Sequence, residues 1–355
     1  MARAEQGSSL SSLEDHTEVR RLERHVDELK KDAKFRDKEV EHLERELGIL
    51  ERVGQARTAP KWLSKVPKKT AKRHVARPCL LLSDLHLDEV VRAREMMDIN
   101  EYNREIAEMR LKATFEGAVK VCHEYWTGID YDGFNLFMGG DIFSGNIHEE
   151  LRESNEDTML GSVLYWLDPV ARGISLLADE FGKVHVASVS GNHGRTTQKK
   201  QYKGNARANF DWFFAHALAR MFENDQRVTF DVSEGQDLIT PIYGQKIMMT
   251  HGDQTGGGGG IGGIFPPIMR MNAKKSQRQF AVKQPYDHLL MGHWHQLIFA
   301  PGFIINGSLK GYDEFALGHN FNPERPQQAL WLHTPEHGIT WQTPVIAGNR
   351  EAEGW

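Results

Sequence analysis

Aspartate, asparagine and histidine recur in five short segments of this chain: Ser83-Asp84-Leu85-His86, Gly140-Asp141, Gly191-Asn192-His193, His251-Gly252-Asp253 and Gly292-His293-Trp294-His295. Together they offer carboxylate and amide oxygens with imidazole nitrogens, and no thiolate. That donor set suits Mn, Fe(II), Zn or Ni better than Ca, which seeks oxygen alone, or a Cys-rich structural Zn. One Asp-x-His is more often a helix cap or a water site. Five such segments on one chain point to metal chemistry.

Each segment follows a short apolar run with strand character: Cys79 to Leu82, Phe134 to Met138, Val184 to Val189, Lys246 to Met249 and His288 to Met291. The polar residues therefore fall where strands end and loops begin. Open α/β sheets place their sites at the C-terminal ends of strands.

The order D-x-H, GD, GNH, H, G-H-x-H resembles the signature of the calcineurin-like metallophosphoesterases, over roughly Cys79 to Val345. The resemblance implies an α/β fold, a four-layer α/β/β/α sandwich of two mixed sheets with helices outside. It implies that Asp84, His86 and His295 hold one divalent ion, that Asn192, His251 and His293 hold a second, and that Asp141 bridges them. Two dications ~3.5–4 Å apart repel, and a shared carboxylate offsets that repulsion. Such a pair lowers the pKa of water to near neutrality and aims a nucleophile at phosphorus. His193 is the implied catalytic residue, giving a proton or hydrogen bond to the leaving oxygen. Mn is the expected metal, with Fe, Zn, Ni or Mg as alternatives.

One departure concerns the residue after GNH, usually acidic in the family and here Gly194 followed by Arg195. What orients the His193 imidazole is left open, and another carboxylate could reach it in space. Arg195 could hold a substrate phosphate bidentately or be a solvated loop cation. Arg195, Lys199 and Lys200 are the candidate substrate-binding residues.

Local charge bears on the substrate. Arg195, Lys199, Lys200, Lys203 and Arg207 follow GNH, and Arg270, Lys274, Lys275, Arg278 and Lys283 lie between His251 and His293. Between Gly54 and Cys79 come Arg57, Lys61, Lys65, Lys68, Lys69, Lys72, Arg73 and Arg77 with Trp62 and no acidic residue. Basic loops and an extended basic linker with an aromatic can follow a phosphate backbone. Within the family the resemblance leans to nucleases, including the nuclease subunit of double-strand-break repair complexes. GNHGR and the Asn306-to-Tyr312 segment look like phage-encoded, exonuclease-like members. The leading expectation is a Mn-preferring DNA phosphodiesterase. The alternatives are a phosphomonoesterase or small cyclic-nucleotide phosphodiesterase, and a DNA- or partner-binding scaffold with little activity. The Gly256 to Gly260 run, continued by Gly262 and Gly263, reads equally as a lid or a loose connection.

The organisation follows. Residues 79–355 form the catalytic domain, 54–78 the basic linker, and 1–53 a long amphipathic helix with Val19, Val26, Ala33, Val40 and Leu47 at heptad a and Leu22, Leu29, Leu43 and Leu50 at d. Acidic g and e positions disfavour a parallel homodimer, so the helix is expected to meet its own catalytic domain, an antiparallel copy or a partner helix, and an oligomer stays open. Helices are expected over Tyr102 to Tyr125 and Ala208 to Phe222. Ala329 to His333 and Ile339 to Val345 read as a hairpin of the second sheet. Two cysteines and the lack of an apolar signal segment and of a membrane-length apolar run point to the cytoplasm, of a host if phage-encoded, and a net charge of −5 gives no global pull towards nucleic acid.

Overall fold

The structure, a computed structural model, describes residues 61–63, 74–256 and 263–355, with helical positions 25–27, 29–31, 33–34, 36–38 and 40. The chain divides into two compact units, Met1–Gln55 and Ala56–Trp355. In the first, Val26, Leu29 and Val40 are exposed at helical positions. Heptad positions Val19, Leu22, Leu43, Leu47 and Leu50, Lys65, Lys68, Lys69, Lys72 and Arg73 of the linker, and residues 257–262 of the glycine run lie outside the described residues. No described helix is long and apolar enough to cross a membrane.

The second unit is mixed α/β, with two sheets. The larger contains β1 (His74–Leu82), β2 (Ile129–Tyr131), β3 (Phe134–Met138), β4 (Val184–Ser188), β5 (Val228–Val232), β11 (Gln327–Thr334) and β12 (Gly338–Ile346), in the order β12-β11-β1-β3-β4-β5 with β2 beside β1. Strands β1, β3, β4 and β5 run parallel. The smaller sheet is built from β6 (Asp237–Ile242), β7 (Gln245–Thr250), β8 (His288–Met291), β9 (Ile298–Ala300) and β10 (Phe303–Ile305), in the order β6-β7-β8-β10-β9. Its β7 and β8 are also parallel.

Side chains alternate across a strand, and both faces of these sheets are apolar, as parallel strands covered on both sides require. Leu80, Leu82, Leu136 and Val186 pack with residues of three helices, α1 (Arg104–Lys120), α2 (Met159–Phe181) and α3 (Phe210–Met221). On the opposite face Cys79, Leu81, Phe137 and Trp331 share a core with Ile247, Met249, Leu290 and Ile304 of the smaller sheet. Met248, Leu289 and Met291 pack with Ile268 and Met271 of α4 (Phe265–Ala281). The helices are stopped and started by side chains: Asn103, Thr158 and Asn209 cap α1, α2 and α3, and Gly182, at φ 73°, ends α2.

Three sequence expectations are corrected here. The C-terminal hairpin, β11 and β12, belongs to the larger sheet, with β11 antiparallel to β1 from Arg77–His333 to Leu81–Ala329. Arg77 is not a linker cation: it is fully buried in β1, donates to both oxygens of Asp132 at 3.0 and 2.7 Å, and lies 4.7 and 4.5 Å from the Trp62 and Tyr243 ring centroids. Trp62 thus covers an internal guanidinium. The basic stretch before His293 is no loop either, since Arg270, Lys274, Lys275 and Arg278 lie on α4.

Candidate metal centre

Every candidate ligand follows one of the parallel strands of either sheet. Asp84 and His86 come after β1, Asp141 after β3, Asn192 after β4, His251 after β7, and His293 and His295 after β8. Parallel neighbours end on the same side, so five loops converge from two sheets.

Two groups of ligand atoms form there, Asp84 with His86 and His295, and Asp141 with His251 and His293. His86 Nε2 lies 3.1 Å from His295 Nε2, and His295 Nε2 lies 3.5 Å from Asp84 Oδ1. In the second group His251 Nε2 is 2.9 Å from Asp141 Oδ2 and 3.1 Å from Asn192 Oδ1. Ligands about 2.1 Å from a common ion sit roughly 3 Å from one another, and these spacings are of that size. A third group, His86, Asp141 and His193, lies between the two.

The backbone is strained where these side chains stand. Asp84, His86, Asp141, His293 and His295 all have φ between 49° and 73°, five of the eleven described non-glycine residues with positive φ. The left-handed region costs an L-residue about 1–2 kcal/mol, so the surroundings must over-determine it. Glycines allow the close approach: a Cβ on Gly191 would stand 2.1 Å from Asp141 Oδ1, and one on Gly292 2.2 Å from Asp84 Oδ2.

Electrostatics favour a cation. Asp141 is fully buried, which opposes its charge, yet the His251 and His193 imidazoles hold its carboxyl well below the usual range. Burial likewise opposes charge on His251, and the Asp141 carboxylate overrides it, raising the imidazole to about 10. Burial and the neighbouring His251 push His293 down to about 4. Among the second group the carboxylate therefore favours one positive charge in close contact, which a proton meets here and a metal ion could meet instead.

Further hydrogen bonds hold the ligands. His251 Nδ1 donates to Gly139 O at 2.9 Å, leaving Nε2 toward Asp141. Asp84 Oδ2 accepts from Ser83 Oγ at 2.5 Å and Asp84 Oδ1 from the His293 amide at 2.7 Å. The Asn306–Tyr312 segment, which in sequence suggested only a family likeness, braces this loop: Ser308 Oγ and Leu309 N donate to Asp84 O at 3.0 and 3.1 Å, and the Asn306 amide donates to Ser83 Oγ at 2.9 Å.

His193 is oriented by a backbone carbonyl. Its Nδ1 donates to Ser144 O at 2.7 Å, and its own amide donates to Asp141 Oδ1 at 2.7 Å. The carboxylate near Gly194 is Asp211, but it serves the backbone: it accepts from Asp141 N at 3.0 Å, Ile142 N at 3.3 Å and Gly191 N at 2.9 Å. A Cβ at 194 would meet Asn209 Oδ1 at 2.4 Å and Asp211 Oδ1 at 3.0 Å, so an acidic side chain has no room there. Burial and the Asp141 charge push Asp211 up to about 7. Sequence spacing carried no signal for Asp211 or Ser144. Replacing Asp211 by Ala strands three buried amides, each worth about 1–3 kcal/mol, so denaturant unfolding should show a loss of several kcal/mol. A variant as stable as the parent would show that water replaces the carboxylate there.

Of the candidate substrate residues, Arg195 and Lys200 have partners within the fold and Lys199 is exposed. Arg195 donates through Nε to Thr197 O at 3.0 Å, through Nη2 to Gln198 O at 3.1 Å and through Nη1 to Asn192 O at 3.4 Å, so the guanidinium fastens its own loop. Lys200 pairs with Asp253, Arg207 with Glu234, and Lys275 and Arg278 both with Asp237. Lys199, Lys203, Arg270, Lys274 and Lys283 are exposed. A small polar cavity beside Asn192 is lined by Gly191, Arg195, Lys200, Asp253 and Gln254 among others.

No protein-family model and no curated protein matches the sequence. Among solved structures the chain is similar to a conserved uncharacterized protein, a predicted phosphoesterase, of Streptococcus pneumoniae, at 14% identity and TM-score 0.27 over 78% of this chain and 98% of that one. It is also similar to wild-type Vps29 of Entamoeba histolytica complexed with zinc, at 12% identity and TM-score 0.28 over 76% and 99%. A third is the sulfate thiohydrolase SoxB of Thermus thermophilus in complex with glycerol, at 12% identity and TM-score 0.29 over 80% and 58%.

Proposed function

We propose that this chain is a dinuclear-metal phosphoesterase of the calcineurin-like type, with the three cores stacked as a four-layer α/β/β/α sandwich, and that it hydrolyses phosphodiester bonds of DNA. One observation carries the metal reading: two ligand groups, Asp84/His86/His295 and Asp141/His251/His293 with Asn192 against His251, converge on strained loops around a buried Asp141. Oxygen and imidazole donors without sulfur admit Mn, Fe, Zn or Ni; the family resemblance, not the donor set, puts Mn first, with Mg as a further alternative. When bound, such a pair supplies charge stabilisation and a nucleophile at neutral pH. Asp141 would bridge the ions, Asn192 and the histidines would fix them, and His193 Nε2 would serve the leaving oxygen.

Support for DNA is narrower than the cation count suggests, because Arg195, Lys200, Arg207, Lys275 and Arg278 have partners within the fold. The exposed Lys199, Lys203, Arg270, Lys274 and Lys283 remain to meet phosphates. Those same internal pairings favour the second reading, hydrolysis of a small phosphoester held near the polar cavity at Asn192.

With added Mn, linear duplex, single strand, mononucleotides and a phosphopeptide should separate the two. The DNA reading expects cleavage of DNA above the others and binding that falls steeply with salt. Neutralising Lys199, Lys203, Arg270 and Lys274 should flatten that slope by roughly one unit for each phosphate no longer neutralised. Salt-insensitive binding, or turnover confined to mononucleotides, would replace DNA by the small substrate.

A further inference from the structure

We infer that Glu89 is a positioning residue for the first ligand group, and that Lys310 dictates how it acts. Glu89 is 5% exposed and stands among three groups. Its Oε1 accepts from Lys310 Nζ at 2.7 Å, its Oε2 accepts from Ser144 Oγ at 3.4 Å, and Oε2 lies 3.1 Å from His86 Nδ1. The approach to His86 has the length of a hydrogen bond without its alignment. Lys310 also contacts Asp313, so its ammonium is fixed from two sides. Ser144 is the residue whose carbonyl orients His193.

A carboxylate only accepts, so beside Glu89 the proton of a neutral His86 belongs on Nδ1. The lone pair then falls on Nε2, the nitrogen that faces His295 at 3.1 Å. Lys310 only donates, and this gives the site a polarity. An amide at position 89 would turn its oxygen to the ammonium and its NH2 toward His86. Nδ1 would become the acceptor, the proton would move to Nε2, and that nitrogen could no longer ligate.

The inference rests on His86 being a ligand, as proposed above, and the test separates the two. In the metal-free full chain, nitrogen-15 NMR should find the His86 proton on Nδ1; finding it on Nε2 overturns the inference without any substitution. Titrated with Mn alone, Glu89→Gln should bind one of two ions ~10–100-fold more weakly, the other unchanged. Adding Lys310→Met frees the amide to turn over, so Glu89→Gln/Lys310→Met should regain most of that affinity. Glu89→Gln with parental Mn affinity and an unmoved tautomer overturns the role of Glu89. Equal losses in the single and double variants overturn the role of Lys310. A parent that binds no Mn removes the metal reading, while the tautomer shift on Glu89→Gln still decides this one.

Discussion

Asp141→Ala is expected to lose turnover to background at every Mn concentration. The side chain is held at both oxygens: Oδ2 lies 2.9 Å from His251 Nε2, and Oδ1 accepts the His193 amide at 2.7 Å. It belongs to the group with His251 and His293 and to the group with His86 and His193. Removing it deletes the buried negative charge common to these groups, and two dications held there would repel with only Asp84 left among the candidate ligands to offset them. Metal analysis under saturating Mn should fall from two equivalents to one or fewer. Asp141→Asn keeps an oxygen for the His193 amide and loses the charge, so it should retain the local loop and still fail to turn over. Activity retained in Asp141→Ala, with a parent holding one equivalent or fewer, would end the dinuclear reading.

What the sequence disclosed and what it concealed divide along the range of the interactions. Strands β3 and β8 end where the apolar runs predicted, at Met138 and Met291, because a local run meets a Gly-containing polar turn. The convergence of the candidate ligand segments was legible for the same reason, since each is a strand-end loop. Helix α2 was not foreseen, although Thr158 and Gly182 mark its ends; Pro169 inside it broke the pattern. Pro266 and Pro267, just inside the start of α4, were likewise a helix signal that the adjoining glycines and cations obscured. Charge was the hardest to read. Arg77 and Lys275 count as cations in any window of sequence, yet their partners, Asp132 and Asp237, lie 55 and 38 residues away. A phosphate-binding surface can be argued only from the cations left over once such distant pairs form.

His193→Ala should lower turnover ~10²–10⁴-fold, the usual loss when a general acid is removed, and should leave both ions in place. The geometry sets the terms. With Nδ1 committed to the Ser144 carbonyl, the nitrogen left to serve the site is Nε2, and the ring stands 4.5 Å from that of His86 between centroids. Burial lowers the imidazole pKa, with the Asp141 carboxylate acting against it. Nε2 therefore tends to be unprotonated at neutral pH until a negatively charged phosphoryl group arrives to favour the imidazolium. The proton must be present when the leaving oxygen departs, so activity should decline as pH rises through the value set in that complex. His193→Ala should lack this alkaline limb. Poor leaving groups need the proton most, and the loss should shrink on nitrophenyl esters. An equal loss on every leaving group would assign His193 to positioning. Loss of one equivalent of metal in His193→Ala would instead make the His86/Asp141/His193 group a true ligand set, since those atoms are already close enough to share an ion.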